Sequence, residues 1–166
     1  LREVYRDGGA IEPLAGVLEQ LVSSGTEEDE LLLDWWSELA TLRQTALGQP
    51  REAITAWSKV SDLQTDNNEA LDQLELLHSE LGQWVEATSV MRKKVALLDG
   101  REDHEGALEI LVQIAETFLL QVADKDAAST TFAEVLERDP ANLDASYQLE
   151  QLCEEREAWA DLAGLL

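Results

Sequence analysis

An all-α helical-repeat solenoid is the fold this sequence predicts, and three observations predict it. The stretch LELLHSELGQWVEATSVM, residues 74 to 91, recurs as LREVYRDGGAIEPLAGVL at 1 to 18 and as LEQLCEEREAWADLAGLL at 149 to 166. A gapless shift of 75 residues pairs Ala40 with Ala115, Ala53 with Ala128, Trp57 with Phe132, Val60 with Val135, Ala70 with Ala145, Leu74 with Leu149 and Trp84 with Trp159. Nowhere do β-branched residues alternate over five or more positions, so no strand pattern competes. Each 75-residue block holds two helix-turn-helix units, which sets an elementary period in the range of helical solenoids.

Taken in order, the helices are expected at 1–8, 11–24, 29–46, 50–63, 67–81, 83–98, 105–122, 125–138, 141–155 and 157–166. In the repeated stretch, Leu74, Leu77 and Leu81 make one apolar stripe and Trp84, Ala87, Val90 and Met91 the next. Gly82 stands at the corner, where a residue able to take positive φ lets the chain reverse; Glu157 holds that corner in the last copy. Pro13 and Pro50 fall in first turns, where a missing N–H costs little. Asp139 before Pro140, Thr26, and the run Thr65-Asp66-Asn67-Asn68 offer N-cap oxygens. The longest connections are expected at 26–30 and 99–106. One repeat domain over 1–166 follows: partial units at 1–30 and 143–166 flank full ones at 33–66, 68–104 and 108–142. With neither end capped by a polar repeat, the chain reads as a segment of a longer array, or as one whose ends another chain covers.

Composition narrows the function. Thirty-five acidic against twelve basic residues give a formal charge of −23, which repels phosphate backbones and anionic membrane surfaces, so nucleic acid is not an expected partner. Arg92-Lys93-Lys94, the only basic cluster, falls within a helix that points its three side chains apart. No apolar run reaches the roughly 18–20 residues that span a bilayer, so membrane insertion is not expected. A single cysteine, Cys153, excludes an internal disulfide framework and fits a reducing compartment, the cytoplasm. The phosphate-loop, dinucleotide, HExxH, paired CxxC and EF-hand patterns are all missing, so neither an enzyme nor a cofactor or metal site is expected.

Several residues resemble the tetratricopeptide repeat family. In the second helices these are Glu52-Ala53-Ile54 with Trp57 and Val60, and Ala127-Ala128 with Phe132, Val135, Leu136, Asp139 and Pro140. In the first helices they are Leu39-Ala40 after Trp36, and Ile114-Ala115 after Leu111 and before Phe118. Arg43 stands where the family prefers an aromatic, Thr65 replaces a proline, and Glu75 and Glu150 replace small residues, so half the units are degenerate, as in arrays of large bacterial proteins. The resemblance implies a right-handed solenoid whose first helices line a concave, partner-binding groove.

On that resemblance the groove positions are Asp34, Ser37, Thr41 and Gln44, then Glu69, Asp72, Leu76 and Glu80. The next two helices add Glu109, Val112, Glu116 and Leu119, then Asp144, Tyr147, Gln151 and Glu154. The set contains no Lys or Arg and lacks the lysine and asparagine with which family members clamp a peptide carboxylate. The expected partner is therefore a protein segment carrying Lys or Arg beside apolar anchors. An alternative role is a structural or oligomerisation module that self-associates through its repeat ends. His78 shares its place with Tyr5 and Cys153, an interhelix packing position, and His104 is expected in a solvated acidic loop. Trp57, Trp84, Trp159 and Trp36 are expected in the core, with Trp35 at its edge and open to partner contact.

Overall fold

The computed structural model describes residues 2–7, 9–24 and 28–163, with the side chains of Val4, Asp7 and 156–163 outside the description. Among the described residues there are nine α-helices and no strand. They are α1 (Arg2–Asp7), α2 (Ile11–Ser23), α3 (Asp29–Thr41), α4 (Pro50–Leu63), α5 (Asn68–Glu80), α6 (Trp84–Gly100), α7 (His104–Thr117), α8 (Lys125–Arg138) and α9 (Leu143–Ala163). Two compact units result, Leu1–Gly82 and Gln83–Leu166, and within each a helix packs on those before and after it in sequence.

In the first unit, Leu14, Ala15 and Leu18 of α2 bury against Leu39 of α3, with Tyr5, Leu21, Trp35, Trp36, Leu42 and Leu47 packed around them. Ala53, Ala56, Trp57 and Val60 of α4, and Ala70, Leu71, Leu74 and Leu77 of α5, are also buried. In the second unit, Met91 and Val95 of α6, Leu111, Ile114 and Ala115 of α7, Phe132 and Val135 of α8, and Ala145 and Leu152 of α9 share one core. The 75-residue register maps buried onto buried at Ala40 and Ala115, Ala53 and Ala128, Trp57 and Phe132, Val60 and Val135, and Ala70 and Ala145. Alanine recurs there because a larger side chain would hold neighbouring helix backbones apart. Each large side chain so buried contributes roughly 1.5–3 kcal/mol.

The same register governs the corners. Helices α3 and α7 each finish in a π-helical turn, Leu42–Ala46 and Phe118–Val122. Each turn leads to a left-handed residue, Gly48 at φ +61° and Ala123 at φ +58°, and these two positions are equivalent. Gly82 closes α5 at φ +69°, as its place at the corner predicts. Asn67, Asp103, Asp124 and Asn142 cap α5, α7, α8 and α9, each accepting from the backbone N–H three residues on at 2.9–3.0 Å.

Several sequence expectations need correction. Helix α9 runs unbroken through Glu157, because no residue there takes positive φ and the helix simply continues. It begins at Leu143 under Asn142, whereas Asp139 closes a tight turn by accepting from Ala141 N at 3.1 Å. The 99–106 connection shrinks to 101–103, since α6 extends through Gly100 and Asp103 starts α7. Cys153 is exposed instead of filling an interhelix space, because the chain does not fold back beyond it as it does at Gly82. Trp84 is only half-buried, His78 likewise, while Thr26 and the Trp159 side chain lie outside the described residues.

Arg43 occupies a place the family fills with an aromatic. Its guanidinium donates to Glu19 Oε1 at 2.5 Å and to the Glu52 carbonyl at 3.3 Å, so its stem fills the space while its head ties α2 to α4. The Arg43 Nε is buried without an acceptor among the described residues. Nearby, Trp57 Nε1 donates to Gln44 Oε1 at 2.9 Å, and Gln44 Nε2 donates to Gln73 Oε1 at 2.6 Å, joining α4, the π turn and α5. Gln44 is thus engaged inside its unit and not presented to a partner.

Candidate functional site

In the first unit the predicted positions lie on the outer faces of α3 and α5. Asp34, Thr41, Glu69, Asp72, Leu76 and Glu80 are exposed and Ser37 is half-buried. Thr41 Oγ1 donates to the Ser37 carbonyl at 2.9 Å, which spends its hydroxyl within the helix. Asp34 is not free. Arg2 donates from Nη2 to Asp34 Oδ2 at 2.5 Å and from Nε to Glu38 Oε2 at 2.6 Å. Arg6 approaches the other oxygen of Glu38 at 2.6 Å. Glu38, whose side chain is only 17% exposed, therefore anchors two arginines of α1. Burial opposes the charge on Arg2, but hydrogen bonds to Asp34 and Glu38 outweigh it and hold the guanidinium above its ordinary pKa.

In the second unit, Glu109 and Glu116 on α7 and Asp144, Gln151 and Glu154 on α9 are exposed; Val112, half-buried, lies between the α7 carboxylates and Leu119, also half-buried, in the turn beyond them. Tyr147 is 60% exposed and Leu143 82% exposed, one turn apart on α9. Leu108, Glu109, Val112, Gln113 and Asn142 line a shallow cleft of about 290 Å³. Among the described residues no cation pairs with Glu109, Glu116, Asp144 or Glu154. Three basic side chains of this unit are engaged elsewhere: Arg92 with Glu134, Arg138 with Asp99 and Glu134, and Lys125 with Glu155.

Composition highlighted the carboxylates but not Glu38, the one that organises the first face, nor Gln113, its equivalent in the cleft. Their equivalence was available from the 75-residue shift; their engagement was not. Trp35, expected at the edge, packs against the first core. His104 begins α7 and is exposed, with Nδ1 3.9 Å from Asp99 Oδ1. Among the described residues no three His, Cys, Asp or Glu side chains gather as a metal-ligand set, and no helix is long and apolar enough to cross a membrane.

Two-helix units in a strict register, with alanines at the crossings, match known structures along nearly the whole chain. The fold is that of the tetratricopeptide-repeat solenoids. A tetratricopeptide repeat protein from Parabacteroides merdae aligns over 94% of this chain and 59% of its own, at 19% identity and a TM-score of 0.52. The nearly identical TPR-like repeats of a Podosopora anserina kinesin light chain candidate align over 99% of this chain and 89% of theirs, at 20% identity and a TM-score of 0.50. A MamA protein aligns over 95% of this chain and 79% of its own, at 15% identity and a TM-score of 0.50. No sequence-family profile and no curated sequence matches the chain. The tetratricopeptide-like architecture is thus carried by structure, at identities that speak to fold alone.

Proposed function

We propose that this tetratricopeptide-like chain is a non-catalytic protein-interaction module, and that the outer face of α7 and α9 takes a partner segment bearing basic and apolar side chains. One observation carries the reading: Glu109, Glu116 and Asp144 have no cation among the described residues, and Val112, Leu119 and Tyr147 stand among them. A carboxylate without an internal partner meets an incoming cation with no ion pair to break, and apolar side chains beside it supply area to bury. Glu69, Leu76 and Glu80 on α5 offer the same mixture in the first unit, with Asp72 on the same helix and Ser37 and Thr41 on α3; Gln151 and Glu154 extend the α9 face.

Titration of a short peptide containing lysines, arginines and leucine tests the proposal. Affinity should fall roughly tenfold between about 50 and about 500 mM salt, as exposed charge pairs are screened. It should also fall when Glu109 and Glu116 are both replaced by Gln. Binding that ignores both salt and those substitutions would sink the electrostatic reading. The compartment we propose is the cytoplasm, in keeping with a free, exposed Cys153.

A further inference from the structure

The first unit shows how this scaffold holds a guanidinium. Two acceptors one helical turn apart on α3, Asp34 and Glu38, receive the Nη2 and Nε of Arg2 at 2.5 and 2.6 Å. Such a fork matches the planar, multi-donor head of arginine and not the point charge of lysine. The 75-residue register places Glu109 at the position of Asp34 and Gln113 at that of Glu38, and both side chains line the cleft beside Val112. Among the described residues, no arginine of the chain reaches them. Equivalent positions thus bind an arginine in one unit and stand open in the other.

We propose that Glu109 and Gln113 form a seat for one arginine of a partner protein. The Glu109 carboxylate takes the charge and the Gln113 Oε1 accepts a second N–H, while an apolar neighbour of that arginine enters the cleft against Leu108 and Val112. Glu116, seven residues along α7 and so about 10 Å away, meets a second cation. The inference rests on the interaction reading above and sharpens it from basic residues in general to arginine at one named seat.

The probe is a pair of short alanine-based peptides, each with two cationic residues flanking a leucine, arginines in one and lysines in the other. The arginine peptide should bind at least about threefold more tightly, the worth of a bidentate contact at a partly exposed site. Gln113→Glu, which rebuilds the two-carboxylate fork of the first unit on an exposed position, should tighten the arginine peptide about two- to fivefold, and Glu109→Gln should abolish the preference over lysine. Glu137→Gln, which removes an exposed carboxylate of α8 outside the cleft, serves as the control and should leave the preference for arginine unchanged. Equal affinity for the two peptides, or a Gln113→Glu variant that binds no better, overturns the arginine seat and leaves the broader reading standing. Failure of both peptides to bind at any salt concentration overturns both.

Discussion

The faces of α3 and α7 occupy one register and differ in what has been done with their charge. On α3, Asp34 and Glu38 are spent on Arg2 and Arg6, so a carboxylate that looks available in sequence is part of the architecture. On α7, Glu109 sits at the place of Asp34 and Glu116 at that of Thr41, with no cation among the described residues, next to Val112 and Leu119. A net charge of −23 therefore does not mark a site. Local pairing divides acidity that holds the fold from acidity that can meet a partner.

The comparison can be broken at its strongest point first. Trp57→Ala and Phe132→Ala should each destabilise by about 3–5 kcal/mol, each in its own unit, because both empty the same interhelix space. Amide exchange along α4 and α8 would show it; a large loss in one and a small loss in the other would mean the two cores are not equivalent. Next in size, Arg2→Ala should cost about 1–2 kcal/mol and loosen α1 while leaving α7 protected, since Glu38 is largely buried and would keep only Arg6. Because the folded Arg2 pKa is raised, its contribution is complete below the ordinary guanidinium pKa and is lost only above it; mid-range pH should leave α1 untouched. Smallest of all, Ala123→Gly should stabilise by about 0.5–1 kcal/mol and Gly48→Ala should destabilise by about 1 kcal/mol. Reverse substitutions with opposite signs would show that the two turns share one preference for glycine. No atom lies within 4 Å of a Cβ built on Gly48, so its change reports backbone conformation and not crowding.

What could be read from the sequence, and what could not, follows from range. Buried positions such as Ala53 and Ala128 were legible because a repeat packs the same contacts at a fixed spacing. Gly82 was legible as a corner because only a residue tolerant of positive φ serves there, and the missing corner at Glu157 was the other side of that rule. The Arg2 bridge to Asp34 spans 32 residues and depends on how α1 lies beside α3, which no local pattern encodes. Arg43 was legible as a departure but not as a brace, because its acceptors, Glu19 and the Glu52 carbonyl, come from two other helices.

The hydrogen-bonded path from Trp57 through Gln44 to Gln73 makes exchange between the repeats one-sided. At the equivalent places stand Phe132, Leu119 and Gln148, so an indole transplanted to the later position would bring a proton donor to a neighbour with nothing to accept it. A phenyl ring moved the other way keeps the bond from Gln44 Nε2 to Gln73 Oε1 and takes a donor only from Gln44 Oε1, on a residue that is half-buried. The repeats share a mould but not a hydrogen-bond pattern, so a side chain that completes the polar version is a stranger in the oily one.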